Sequence, residues 1–207
     1  MATEVEAKFL ATDDGALASL ASAPRLADAE LGAGITFDEV DIYLDTADGR
    51  LGSQGWACRL RDRGQGFIVS LKGPPPADAA PDAWLHRRPE LEAPAAESML
   101  TADWPASEAR DLLERLSGGA QLLERLRLLQ RRTERGVHLD GERLGTLSLD
   151  VVTAVGTSGA TAASFDVVEL ELASADDPVA AGHLDGLASA LAEWPGLVAD
   201  RRSKLER

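Results

Sequence analysis

Cysteine is nearly absent from this chain of 207 residues. Cys58 stands alone, so no internal disulfide can form, and its place in a strand-like run makes a small buried hydrophobe its expected role. Histidine is also scarce: His86, His138 and His183 lie far apart, without the spacing of zinc ligands. Aromatic residues make up 4%, and Trp56, Trp84, Trp104 and Trp194 are expected to pack and not to form a nucleobase platform. No apolar run approaches the roughly 20 residues that cross a bilayer. No basic segment followed by an apolar stretch opens the chain, so no signal peptide is read. A membrane partner is therefore not expected, and the cytoplasm is the expected compartment. Positive charge is short as well, 21 Lys and Arg against 35 Asp and Glu, a net charge of −14. A grip on the backbone of DNA or RNA needs a basic surface, so nucleic acid is not an expected partner. A local basic pocket remains compatible with the sum.

What the chain has is alternation. In an extended strand successive side chains point to opposite faces. At the N-terminus Glu4, Glu6 and Lys8 share one face, and Val5, Ala7 and Phe9 the other. The same division returns at Arg59/Arg61, Ser70/Lys72, Arg88/Glu90/Glu92, Ser148/Asp150 and Glu169/Glu171, each opposite an apolar face. Strands are expected over 4–10, 37–44, 56–63, 67–72, 86–93, 145–152 and 165–172, with a hairpin turn at 64–66. Helices are expected over 13–20, 107–116 and 178–193, the first capped by Asp13 or Asp14 and the second by Ser107. Segments 24–34, 73–81 and 153–163 read as loops. The Arg- and Leu-rich stretch 122–139 fits helix near Leu122–Leu129 and strand near Val137 and Leu139, and periodicity does not decide it.

The charged faces admit two readings. One is an ordinary solvated sheet, polar outward. That reading predicts mixed polar residues without order, whereas here acids cluster on some strands and arginines on others. The second reading turns the apolar faces outward beneath three amphipathic helices and the charged faces inward. Burying an unpaired ion costs several kcal/mol, against a total stability of roughly 5–15 kcal/mol. Such an interior must therefore hold water and serve a function. A closed antiparallel barrel of about eight strands is wide enough for a small ligand. Lysine and arginine suit a polyanion, arginine especially phosphate, and carboxylates suit Mg²⁺ or Mn²⁺. Both together point to a metal-bound phosphate chain.

The ordered set Glu4-x-Glu6-x-Lys8, Tyr43-Leu44-Asp45-Thr46, Arg59-Leu60-Arg61, Leu71-Lys72-Gly73, Arg88-x-Glu90-x-Glu92, an Arg-rich strand, Asp150, Glu169-x-Glu171 and Ser203-Lys204 resembles the signature of the CYTH superfamily. These are the triphosphate tunnel metalloenzymes, and the likeness is greatest to the inorganic triphosphatase and CYTH–CHAD type. The resemblance implies an α+β fold, an eight-stranded antiparallel closed β-barrel, or tunnel, with helices packed outside. It spans residues 1–207 as one CYTH domain, either free-standing or part of a longer chain in which a helical CHAD domain follows. It implies hydrolysis of inorganic triphosphate to pyrophosphate and phosphate with Mg²⁺ or Mn²⁺, and triphosphate or polyphosphate as partner.

Carried over residue by residue, the resemblance implies that Lys8, Arg59, Arg61, Lys72 and Arg88 hold phosphate. Arg127 and Arg132 are chosen from the Arg-rich stretch, and Lys204 would close over the ligand. Glu4, Glu6, Asp150, Glu169 and Glu171 would bind metal or position water, with Glu90 and Glu92 supporting them. Lys8, Glu6 and Glu171 are the expected catalytic groups. The alternatives are a thiamine or nucleoside triphosphatase, a class IV adenylyl cyclase, and a module that binds polyphosphate without cutting it. An intact acidic set favours an enzyme.

Overall fold

The computed structural model describes residues 2–76, 85–156, 159–174 and 178–206. Trp84 and parts of the loops expected over 73–81 and 153–163 lie outside these residues. The strands are β1 (Ala2–Ala11), β2 (Arg25–Leu26), β3 (Ala29–Leu31), β4 (Ile35–Thr46), β5 (Ala57–Asp62), β6 (Phe67–Lys72), β7 (Leu85–Ala95), β8 (Leu122–Leu139), β9 (Glu142–Val155), β10 (Thr161–Leu172) and β11 (Leu197–Ala199). The helices are α1 (Asp14–Ser22), α2 (Arg50–Ser53), α3 (Glu108–Ser117) and α4 (Pro178–Ala192).

Eight strands close a ring in the order β8-β4-β5-β6-β7-β1-β10-β9, and the β8–β9 pairing seals it. Every pairing is antiparallel. The chain folds as a closed barrel with helices outside, as the resemblance implies. The β2–β3 hairpin extends the edge beside β8, and β11 pairs with the end of β1 that β7 leaves free. The segment expected as a loop over 24–34 thus holds two short strands. The undecided stretch 122–139 is one strand of 18 residues. Its leucines pack on both faces of a sheet, which mimics helical spacing where the strand begins. β4, β9 and β10 also run past the expected ends, so that the latter two invade the Gly/Ser/Thr-rich loop between them.

The apolar faces are outside, under helices. Val5, Ala7 and Phe9 of β1 join Leu147, Leu149, Val168 and Leu170 beneath α1 and α4, which contribute Leu20, Leu184, Leu187 and Leu191. On another side Ile42, Leu44, Cys58, Leu60, Val69 and Leu71 pack under Leu113 of α3 and Trp104. Full burial of each such side chain is worth about 1.5–3 kcal/mol, and this fixes which face of each strand turns outward. Asp13 caps α1 by accepting from the N–H groups of Gly15 and Ala16. Ser107 caps α3, and Gly118 ends it in the left-handed region at φ 63°.

Arg135 of β8 ties these layers together. Its guanidinium donates to the carbonyls of Leu20 (2.6 Å), Ala23 (2.7 Å), Gly32 (2.8 Å) and Leu31 (3.1 Å). Losing it leaves four carbonyls without their donor. Arg135→Ala should lower the unfolding free energy by about 2–4 kcal/mol, read from urea denaturation. Arg127→Ala, on the half-exposed outer face of the same strand, should change it by under about 0.5 kcal/mol. Equal midpoints for the two variants would remove this structural role from Arg135.

Candidate active site

Strand parity carries the polar faces into the barrel. The cavity holds about 260 Å³, just under the roughly 300–1,000 Å³ typical of small-ligand pockets. Its cationic lining comprises Lys8, Arg59, Arg61, Arg63, Lys72, Arg88, Arg132 and Lys204. Its acidic lining comprises Glu4, Glu6, Glu90, Glu92, Glu134, Glu169 and Glu171. The chain is acidic as a whole, yet here cations outnumber acids, eight to seven. Tyr43 supplies the one aromatic ring among the lining residues.

The ions are paired, which is how the barrel tolerates them. Lys8, 2% exposed, meets Glu169 at 3.0 Å. Arg88 donates to Glu4 (3.1 Å) and Glu6 (3.0 Å). Lys72 bonds to Glu4 and lies 3.4 Å from Glu90, which also accepts from Ser70 at 2.7 Å. Arg132 makes a forked pair with Asp150 (2.7 and 2.6 Å) and reaches Glu169 at 2.9 Å. Lys204 enters from the C-terminal segment and donates to Asp150 at 2.6 Å and Glu169 at 3.1 Å. Burial opposes charge on Glu169, but Lys204, Lys8 and Arg132 outweigh it and hold its pKa well below the usual carboxylate range. Burial likewise opposes charge on Lys8, and Glu169 and Glu6 keep it protonated with a raised pKa.

Glu171 differs. Among the described residues it is the lining acid without a cationic partner, and it is open to the cavity. Partial burial, then the charges of Glu4, Glu6 and Glu90, outweigh the opposing charge of Lys72 and push its pKa up to about 7. Carboxylate oxygens of Glu4, Glu90 and Glu171 all lie within 4.8 Å of one another. An all-oxygen set with one unpaired acid fits a hard divalent cation such as Mg²⁺ or Mn²⁺.

The structure thus brings Glu4, Glu6, Lys8, Arg59, Arg61, Lys72, Arg88, Glu90, Glu92, Arg132, Glu169, Glu171 and Lys204 to one cavity. Two expected residues stand apart. Arg127 lies on the outer face, where it pairs with Glu124 at 2.7 Å, because it and Arg132 are an odd number of residues apart and cannot share a face of one strand. Asp150 is fully buried behind the wall and saturated by Arg132 and Lys204. It braces two cations and is not among the acids that face the cavity. Glu90, expected as support, belongs to the three-acid cluster. The alternation Glu39-x-Asp41-x-Tyr43 on β4 went unused in the sequence reading, and these three side chains face inward. The interior is also not charged throughout. Tyr43, Leu128, Val152 and Ala154 form a buried apolar cluster with Leu126, Ala163 and Phe165 packed against it.

The CYTH domain family profile matches residues 2–180. The chain belongs to the CYTH domain family, and the closed barrel is its triphosphate-tunnel fold. No curated protein sequence matches the chain. Among solved structures it is similar to a Hippeastrum protein assigned as an adenylyl cyclase and described as having a dominant triphosphatase activity, at 20% identity and TM-score 0.66, covering 98% of this chain and 93% of that one. A Bacillus halodurans protein assigned as an adenylate cyclase superposes with TM-score 0.65 at 21% identity, over 100% and 98%. The Mimivirus capping enzyme triphosphatase gives TM-score 0.52 at 12% identity, over 91% and 88%. Identities this low carry the fold alone. No described helix is long and apolar enough to cross a membrane.

Two outcomes follow for Glu171. Its raised pKa means that the metal-free fold holds this proton more tightly than the unfolded chain. Ionising it, as pH rises from about 5 to about 8, costs the fold stability. Glu171→Gln should therefore gain stability relative to wild type across that interval without metal, and a constant difference in melting temperature would contradict the cluster's repulsion. Gly145 of β9 faces the Glu171 backbone, and a Cβ there would sit 2.2 Å from the Glu171 carbonyl oxygen. Gly145→Ala should shift β10 and weaken Mn²⁺ binding at least about tenfold, measured by water-proton relaxation; native affinity would show that the strand adapts.

Proposed function

We propose that the barrel hydrolyses inorganic triphosphate to pyrophosphate and phosphate with Mg²⁺ or Mn²⁺. One observation carries this reading. Eight cationic side chains converge on a small cavity beside a three-glutamate cluster in which Glu171 has no cationic partner among the described residues. The names of the Hippeastrum and Mimivirus proteins agree with it. The lining offers little to a nucleobase, since its single ring is the buried Tyr43. That favours a phosphate chain without a base over the nucleotide of a cyclase.

Arg59, Arg61, Lys72, Arg88 and Arg132 take the phosphate oxygens, with Lys8 and Lys204 adding charge from below. These cations must loosen their grip on the carboxylates as phosphate arrives, an exchange of one anionic partner for another. Glu4, Glu90 and Glu171 would hold the metal ion, which would supply neutralisation of phosphate charge and a lowered pKa for water. Glu6 orients Arg88, and Lys8, pinned by Glu169, stabilises the negative charge that develops on the transferred phosphoryl group. Catalysis on this reading is positioning and electrostatics. Triphosphate, or the end of a polyphosphate chain, is the proposed partner.

Phosphate release from inorganic triphosphate should be fast with Mg²⁺ and abolished by EDTA, and slower from ATP and thiamine triphosphate. Glu171→Gln should lower kcat by about 10²–10³-fold, whereas Arg59→Ala should chiefly raise KM. Tight polyphosphate binding without release would establish a binding module instead, and cyclic AMP with pyrophosphate from ATP a cyclase.

A further inference from the structure

Behind the arginine wall lies a cluster that touches none of the cavity. Asp41 and Glu39 of β4 have no exposed side-chain surface, and Gln130 of β8 is 3% exposed. Asp41 takes the Arg61 guanidinium in a fork, at 2.7 and 2.8 Å, and lies 3.5 Å from Arg59. Glu39 accepts from Arg63 at 2.9 Å, pairs ionically with Arg61 at 2.9 Å, and lies 3.6 Å from Arg132. The two buried acids would repel each other across this cluster. Gln130 lies between them, its amide nitrogen donating to Asp41 at 2.7 Å and to Glu39 at 3.1 Å. All four arginines reach the cavity, from β5 and the turn after it and from β8.

We infer that Asp41, Glu39 and Gln130 form a buried positioning unit that fixes the orientation of Arg59, Arg61, Arg63 and Arg132 toward the phosphate chain. This rests on the triphosphate reading of the cavity. A free arginine has many rotamers, and ordering each against substrate costs entropy on every binding event. A forked carboxylate behind the guanidinium removes that cost beforehand while leaving the other N–H groups to point inward. The acids lower the net positive charge of the wall, so electrostatics alone assigns them an opposing effect. The two accounts differ in sign. As mere counter-charge, Asp41 weakens triphosphate binding, and Asp41→Asn should tighten it. As a positioning residue, its loss should weaken binding although the cavity becomes more positive.

The test is steady-state hydrolysis of inorganic triphosphate with Mg²⁺ by wild type, Asp41→Asn, Arg61→Ala and the double variant, beside arginine Nε–H NMR spectra of each without ligand. The expected result is a KM at least about tenfold higher for Asp41→Asn with a smaller change in kcat. Asp41→Asn should add little in the Arg61→Ala background, and the Arg61 Nε–H signal should broaden while Mn²⁺ affinity stays native. Lower or unchanged KM with a native melt overturns the inference. If Asp41→Asn does not fold, Glu39→Gln and Gln130→Met are read the same way. If wild type hydrolyses no triphosphate, the functional reading fails, and the NMR spectra still decide: sharp Arg61 and Arg132 signals in all variants would overturn the positioning unit.

Discussion

Charge compensation inside a closed barrel is the constraint on which the rest depends. A β-barrel with polar faces turned inward must satisfy each ion within its own walls, because a single unpaired one costs several kcal/mol. Here Lys8, Arg132 and Lys204 share Asp150 and Glu169 in one buried network. Arg88 and Lys72 share Glu4. With these pairs in place the barrel closes, and its outer faces are free to be largely apolar beneath α1, α3 and α4. The interior charge pattern and the exterior helix packing are two sides of the same alternating strands.

That same compensation shapes what the cavity can bind. A cation already held by a carboxylate can exchange one anionic partner for another without ever being bare, so on the proposed reading a phosphate chain would meet ordered, charged groups and not a desolvation barrier for each. Glu171 is the deliberate imbalance. It has no cationic partner among the described residues and faces Glu4 and Glu90, and the charge of Lys72 offsets their repulsion only in part. On the proposed triphosphate reading, the arginine side is the wall that would hold phosphate and the acidic side the corner that would hold a cation. The apolar cluster around Tyr43, Leu128 and Phe165 fills part of the remaining interior.

Much of this was legible in the sequence because a strand exposes its two faces at a period of two. Glu4, Glu6 and Lys8 announce an inward face, and Arg59/Arg61, Arg88/Glu90/Glu92 and Glu169/Glu171 repeat it. Caps at Asp13 and Ser107 were readable from short side chains before apolar stripes. Where leucines and arginines occupy both faces of one long strand, parity cannot be counted from residue type. Periodicity therefore does not decide 122–139, and residue type alone does not separate Arg127 from Arg132. A bulge, where Tyr43 pairs with Leu126 but Leu44 with Glu124, moves the parity once more. Asp150 and Glu90 exchanged expected importance because which acid is saturated depends on cations from distant strands, which no local pattern contains. Glu39 and Asp41 were visible as an alternation, but their work lies behind the wall, among arginines of β5 and β8.

The most direct measurement is the Mn²⁺ affinity of wild type and Glu171→Gln, by electron paramagnetic resonance, with and without inorganic triphosphate. The account predicts a wild-type site that triphosphate tightens and that Glu171→Gln weakens in both conditions. Mn²⁺ binding indifferent to Glu171 and to triphosphate would contradict the division of the cavity into a cation corner and a phosphate wall.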